Sequence, residues 1–145
     1  MVTLKKISLP EVVKGVAIAY DKDQDLFDKY HIGKCDFAGA VMSTVAMIRE
    51  ASKERNLSYY KVVYKQTPIG YVVVFPDFLY SYGINPKFRK KEILVDWWGQ
   101  VRKLLGRNFA TQLYPNNTRA ADFLVKNGMK AYEQENDTIL FVNEK

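Results

Sequence analysis

The sequence predicts an α+β fold, a mixed and mostly antiparallel sheet flanked by helices, on three observations. Apolar residues recur at helical spacing in two long segments, Phe37 to Ile48 and Leu94 to Leu105. Three strand-like runs follow one another between Tyr59 and Ile84 with short, proline-bearing turns between them, the pattern of an antiparallel meander. Beyond Pro86 the pattern becomes helix, strand, helix and a closing pair of strands, which gives the order βααβββαβαββ. With 145 residues, 48% of them hydrophobic and 26% charged, the chain matches one compact domain, residues 1–145, that needs no metal or disulfide staple.

Taken in order, Thr3 to Leu9 alternates enough for a first strand, and Pro10 stops it. Glu11 to Ala19 reads as a helix with Pro10 before its first turn. Asp21 to Asp25 reads as a polar loop, followed by a short helical turn at Leu26 to Tyr30. Asp36 is placed to cap the next helix, whose Phe37, Val41, Val45 and Ile48 share a face while Arg49, Lys53 and Glu54 lie toward water. Tyr59 to Lys65 and Ile69 to Phe75 form a hairpin across Gln66, Thr67 and Pro68, and Pro76-Asp77 turns the chain into a third strand, Phe78 to Ile84.

The next helix carries an apolar stripe of Leu94, Trp97, Val101, Leu104 and Leu105 opposed by Glu92, Asp96, Gln100 and Lys103. Trp97 and Trp98 diverge by about a hundred degrees on a helix, which places Trp97 in the core and Trp98 at its boundary. Ala110 to Tyr114 is a short strand closed by Pro115. Thr118 to Lys126 is a second amphipathic helix, ended by Gly128. Met129 to Glu133 and Thr138 to Asn143 close the sheet as a hairpin across Glu135, Asn136 and Asp137.

The balance of 22 Lys+Arg against 16 Asp+Glu, a formal charge of +6, favours anionic partners. No helix-turn-helix, zinc-finger or RNP-like signature accompanies that charge, so nucleic acid is not the expected partner. The single cysteine, Cys35, suits a reducing compartment. The first ten residues hold no apolar signal-peptide core, and no stretch approaches 18 apolar residues, so the expectation is a cytoplasmic protein without a membrane span. One histidine, His31, and one cysteine do not make an ordinary zinc site.

Two segments carry chemistry. Ser81-Tyr82-Gly83-Ile84-Asn85-Pro86-Lys87-Phe88-Arg89 resembles the strand-end "V-x-P-x-[YF]-R" of the GNAT superfamily of acyl-CoA-dependent N-acyltransferases, which leads into a pyrophosphate-binding helix. Asn117 to Met129 resembles the family's "N-x-x-A-x-x-[LF]-Y-x-x-x-G-F", with Asn117, Ala120, Phe123 and Gly128 in register. The resemblance covers roughly Tyr59 to Val142. It implies a GNAT-like fold, acetyl-CoA as cosubstrate, and an amine on a small molecule or protein as acceptor.

By that resemblance Ile84, Phe88, Arg89, Lys90, Lys91, Glu92 and Asn117 become the candidate cofactor-binding residues. The physics agrees at one point: Lys87, Arg89, Lys90 and Lys91 crowd a helix N-terminus, where cations oppose the dipole unless an anion docks there. Two departures matter. Glu92 and Leu94 stand where the family keeps the backbone bare, adding a like charge and bulk beside a pyrophosphate. Leu124 stands where many members place a proton-donating tyrosine, so another donor is required, with Tyr82, Tyr114 and solvent the candidates. A backbone amide near Tyr82 or Ile84 is the expected carbonyl polariser, and Asp77 the candidate base. The alternative is a GNAT-like binding or structural protein without catalysis, a class that also occurs among the components of tailed phages.

Overall fold

The computed structural model describes residues 1–23, 25–26, 36–134 and 138–143. His31, Cys35, most of the expected turn at Leu26 to Tyr30 and the hairpin turn at Glu135 to Asp137 lie outside them. Among the described residues the chain runs β1 (Val2–Ile7), α1 (Leu9–Tyr20), α2 (Phe37–Ser52), β2 (Ser58–Tyr64), β3 (Thr67–Phe75), β4 (Phe78–Ile84), a 3-10 turn (Pro86–Phe88), α3 (Lys91–Leu105), β5 (Phe109–Leu113), α4 (Thr118–Lys126), β6 (Lys130–Glu133) and β7 (Ile139–Asn143). This is the expected α+β order. The strands make one seven-stranded sheet, β1-β2-β3-β4-β5-β7-β6, antiparallel everywhere except between β4 and β5.

β1 ends two residues earlier than its alternation suggests, because Ser8 opens the helix. The Glu11 carboxylate accepts hydrogen bonds from the Ser8 backbone N–H (2.9 Å) and hydroxyl (2.8 Å), which turns the chain so that Leu9 and Pro10 enter the first helical turn. α2 starts as expected, with Asp36 Oδ1 accepting from the Gly39 N–H at 2.8 Å. The β2–β3 turn is tighter than Gln66-Thr67-Pro68. Lys65 (φ 48°) and Gln66 (φ 66°) make a two-residue turn whose positive φ values suit the twist of the flanking strands. Thr67 and Pro68 therefore open β3, with Pro68 opposite Val63 at a register shift that relieves it of a ladder hydrogen bond.

β3 is buried on both faces, as its run of Ile69 to Val74 requires. On one side Val12 and Val16 of α1 and Val41, Val45 and Ile48 of α2 pack on Tyr71 and Val73. On the other, Ile93, Trp97 and Val101 of α3 and Leu124 of α4 pack on Val72, Val74 and Leu79. Trp98 departs from its expected boundary position. It is 2% exposed, since β5 and α4 flank α3 and supply Phe109 (centroids 5.7 Å apart) and Phe123 (5.6 Å, edge-on) as a second wall. Among the described residues no helix is long and apolar enough to cross a membrane.

Candidate active site

The site begins where two neighbouring strands part. β4 and β5 pair only at Phe78↔Ala110 and Leu79↔Thr111. On its other edge β4 slips register: Val73 faces Ser81 and Val74 faces Leu79, leaving Tyr80 as an extra, bulged residue. A bulge bends its strand and adds twist, and here it falls just after the last β4–β5 pair. Beyond that fork lies a cavity of about 410 Å³, walled by Tyr80 to Ile84, by Gln112 to Tyr114, and by Leu94, Trp97 and Phe123.

The backbone of β4 is oriented toward this opening. Asn85 donates its N–H to the Ile69 carbonyl at 2.7 Å, so residue 85 bonds toward β3. Because successive residues of a strand aim their backbone groups at opposite edges, Ile84 and Tyr82 aim theirs at the edge that β5 has left. Arg89 Nε donates to the Ile84 carbonyl at 2.9 Å from that side.

At the mouth, a residue that sequence reasoning leaves in a polar loop takes a central place. Asp23, 3% exposed, lies in the cavity wall between two arginines. Arg89 Nη2 donates to its Oδ2 at 2.5 Å, and Arg119 donates through Nη1 to Oδ1 and Nη2 to Oδ2, each at 3.3 Å. Burial alone would raise the Asp23 pKa, but the hydrogen bonds and charges of Arg89 and Arg119 outweigh it and hold the carboxyl below its ordinary value. The Asn85 side-chain amide donates to the carbonyls of Ile18 (2.8 Å) and Asp21 (3.3 Å), a second tie between the β4–α3 turn and the end of α1. Nothing in the run Asp21-Lys22-Asp23-Gln24-Asp25 distinguishes Asp23. Arg119 was findable, as a cation in the first turn of α4 opposing the helix dipole.

The candidate residues divide. Ile84, Arg89, Asn117, Tyr82 and Tyr114 line the cavity. Asn117 also caps α4, its Oδ1 accepting from the Ala120 N–H at 3.3 Å. Phe88 does not line it: its ring packs edge-on against Tyr64, 6.3 Å between centroids, within the core. Lys90, Lys91 and Glu92 are exposed and lie outside the cavity wall, because a 3-10 turn delays the start of α3 to Lys91. Leu94 does face the cavity. Asp77 sits exposed on the β3–β4 turn at φ 62°, outside the cavity wall, with its backbone carbonyl accepting from Ala110. The turn signal in Pro76-Asp77 explains it fully.

The far wall carries hydroxyls. Tyr71 and Ser81 share a 2.8 Å hydrogen bond, as do Tyr20 and Thr44. Burial pushes the Tyr71 hydroxyl well above its ordinary pKa, with Tyr20 adding to the shift. Burial also raises Tyr82, and among the described residues its Oη is a buried polar atom with no hydrogen-bond partner, like Nε1 of Trp97 and of Trp98. Asp23 is the one carboxylate among the described cavity residues.

A mixed sheet whose central strands part after a β4 bulge, with helices on both faces, is the arrangement of the GNAT fold, which this chain shares with solved acetyltransferase structures. No family model matches the chain, and no curated protein does. Solved structures do. An acetyltransferase from Thermus thermophilus superimposes with a TM-score of 0.69 at 11% identity, covering 98% of this chain and 96% of that one. The PaiA N-acetyltransferase from Thermoplasma acidophilum, solved with coenzyme A, gives 0.65 at 10% identity over 100% and 99% of the two chains. The microcin C7 self-immunity acetyltransferase MccE, solved with acetyl-CoA and AMP, gives 0.62 at 12% identity over 99% and 92%. At these identities the likeness is one of fold.

Proposed function

We propose that this chain is a divergent GNAT-type acyltransferase that moves an acetyl group from acetyl-CoA to the amine of a small molecule or protein by direct attack. The observation that carries the reading is the parting of β4 and β5 just past the Tyr80 bulge, which opens a cavity along the edge of β4 that β5 has left. The residues present fit the cosubstrate: Ile84, Leu94, Trp97 and Phe123 offer an apolar slot for its arm, and Arg89 and Arg119 offer charge for its phosphates. Solved neighbours that hold coenzyme A or acetyl-CoA support the same assignment.

When bound, acetyl-CoA supplies an activated thioester carbonyl. The chain's contribution is then positioning and electrostatics. The N–H groups of Tyr82 and Ile84 polarise the carbonyl oxygen in a partly enclosed site, where fixed donors act most strongly. The Tyr82 hydroxyl, kept protonated by its raised pKa and without an internal acceptor, is the proton donor to the departing sulfur. With Asp23 committed to two arginines, the acceptor amine loses its proton to water.

Thermal denaturation with and without acetyl-CoA tests the reading. Ligand at about 100 times its dissociation constant adds about 2.7 kcal/mol, a plain rise in the midpoint. An unmoved midpoint at millimolar acetyl-CoA would overturn it. That result would favour a second reading, a non-catalytic GNAT-like protein, which draws on the pairing of both cavity arginines with Asp23.

A further inference from the structure

The cavity is lined from both faces of the sheet, and the apolar slot assigned above to the cosubstrate lies against α3 and α4. Against α1 and α2 the lining is different: a chain of hydroxyls drawn from four elements. Ser81 of β4 and Tyr71 of β3 share a 2.8 Å hydrogen bond, Tyr71 bonds Tyr20 at the end of α1, and Tyr20 shares a 2.8 Å bond with Thr44 of α2. We propose that this half of the cavity is a subsite for an aromatic amine, uncharged at neutral pH, whose N–H donates to the Ser81 hydroxyl. As the site of the acetyl acceptor it rests on the acyl-CoA reading; as an amine-binding site it does not.

Three observations support this. First, a hydroxyl has one O–H and two lone pairs, so Ser81, at the end of the chain, keeps a lone pair whichever way its bond to Tyr71 runs. It is ready to accept from a ligand N–H, and it neighbours Tyr82, whose backbone faces the parted edge of β4. The Tyr71 ring that orients it is itself fixed. A Cβ on Gly15 of α1 would lie 2.9 Å from the Tyr71 Cβ, and one on Gly83 would lie 3.2 Å from the ring, so these two bare positions let α1 and β4 close on it.

Second, the chain is neutral. Burial holds the Tyr71 hydroxyl protonated, and Ala19, Tyr80 and Met47 beside it carry no charge. The Asp23 carboxylate lies at the mouth, bonded by Arg89 and Arg119. An ammonium brought against the hydroxyls would lose its hydration without gaining a counterion, whereas a weakly basic nitrogen arrives neutral. Third, the remaining surface suits a flat ring: the aromatic faces of Tyr20, Tyr71 and Tyr80, with the Met47 thioether as an adaptable wall.

The test is amide chemical-shift titration at pH 7, without acetyl-CoA, using aniline, cyclohexylamine and toluene. Cyclohexylamine matches aniline in size but is charged, and toluene keeps the ring but has no N–H. The wild-type chain is expected to bind aniline tenfold or more tighter than cyclohexylamine. Ser81→Ala is expected to weaken aniline by about three- to tenfold, the loss of one hydrogen bond, and to leave toluene unchanged. Cyclohexylamine bound as tightly as aniline would overturn the proposal, as would aniline and toluene weakened alike, or aniline unaffected, in a folded Ser81→Ala.

Should Ser81→Ala not fold, the wild-type preference between aniline and cyclohexylamine decides alone. Aniline preferred by a chain whose melting midpoint acetyl-CoA does not move would uphold the amine site and sink the acyl-CoA reading. A midpoint raised by acetyl-CoA, with cyclohexylamine preferred, would do the reverse.

Discussion

The hydroxyl of Thr111 donates a 2.7 Å hydrogen bond to the backbone carbonyl of Leu79, with both residues fully buried. They are also the last pair at which β4 and β5 meet, so this side chain adds a bond at the apex of the fork. Thr111→Val keeps the shape and removes the donor, leaving a buried carbonyl short of a partner, which costs about 1–3 kcal/mol. Urea denaturation is expected to show a lower midpoint at unchanged slope. A variant as stable as the parent would mean that packing alone holds the apex.

Two glycines are expected to respond in opposite directions to alanine. A Cβ on Gly70 would lie 2.0 Å from the Gly83 carbonyl oxygen, inside the β3–β4 ladder, where neither backbone can yield. Gly70→Ala is expected to destabilise by about 3 kcal/mol or more through overpacking. A Cβ on Gly99, exposed in α3, meets nothing within 4 Å, and Gly99→Ala is expected to add about 0.5–1 kcal/mol by helix propensity. Equal stability of the two variants would refute the close approach of β3 and β4.

Acid stability reports on Asp23. Its folded pKa lies below the ordinary 3.8: although burial pushes upward, the hydrogen bonds from Arg89 and Arg119 prevail. The contribution of Asp23 to stability is therefore present above its unfolded pKa and is lost as pH falls through the lower folded value. Below about pH 4 the wild-type chain should lose stability more steeply than Asp23→Asn, which at neutral pH starts lower because it removes the negative charge that Arg89 and Arg119 share. Denaturation midpoints from pH 7 to pH 2 decide it, and parallel acid limbs would contradict the pairing.

Tyr82 is expected to trade stability for activity. A buried hydroxyl without a partner carries a desolvation penalty, so Tyr82→Phe should raise stability by about 1 kcal/mol. If that hydroxyl is the proton donor, the same change lowers kcat by about 10²–10⁴. Tyr114→Phe, at the half-exposed rim of the cavity, should leave kcat within a few-fold. Steady-state rates for the two variants, beside their melting curves, separate the roles; a Tyr82→Phe enzyme of full kcat would remove the assignment.

Much of the fold was legible because its signals are local. The stripe in α2, the run of β3 and the glycine after α4, with φ 92° at Gly128, each follow from neighbours within a few residues. Misread boundaries were local too: Ser8 and Glu11 spell a helix start that the alternation of β1 obscured. The candidate site was less legible. Ile84, Arg89, Asn117, Tyr82 and Tyr114 reach the cavity, while Phe88 packs into the core and Asp77 stays on a turn.

The sequence by itself determined the identity and order of the strands and helices, because hydrophobic period and turn chemistry act over a few residues at a time. Only the tertiary structure decided which residues share the cavity. The bulge at Tyr80 exists through pairing with β3, and Asp23 matters through arginines 66 and 96 positions away. Contacts of that range depend on how the packed layers bring distant segments together, a relation that no short stretch of chain encodes.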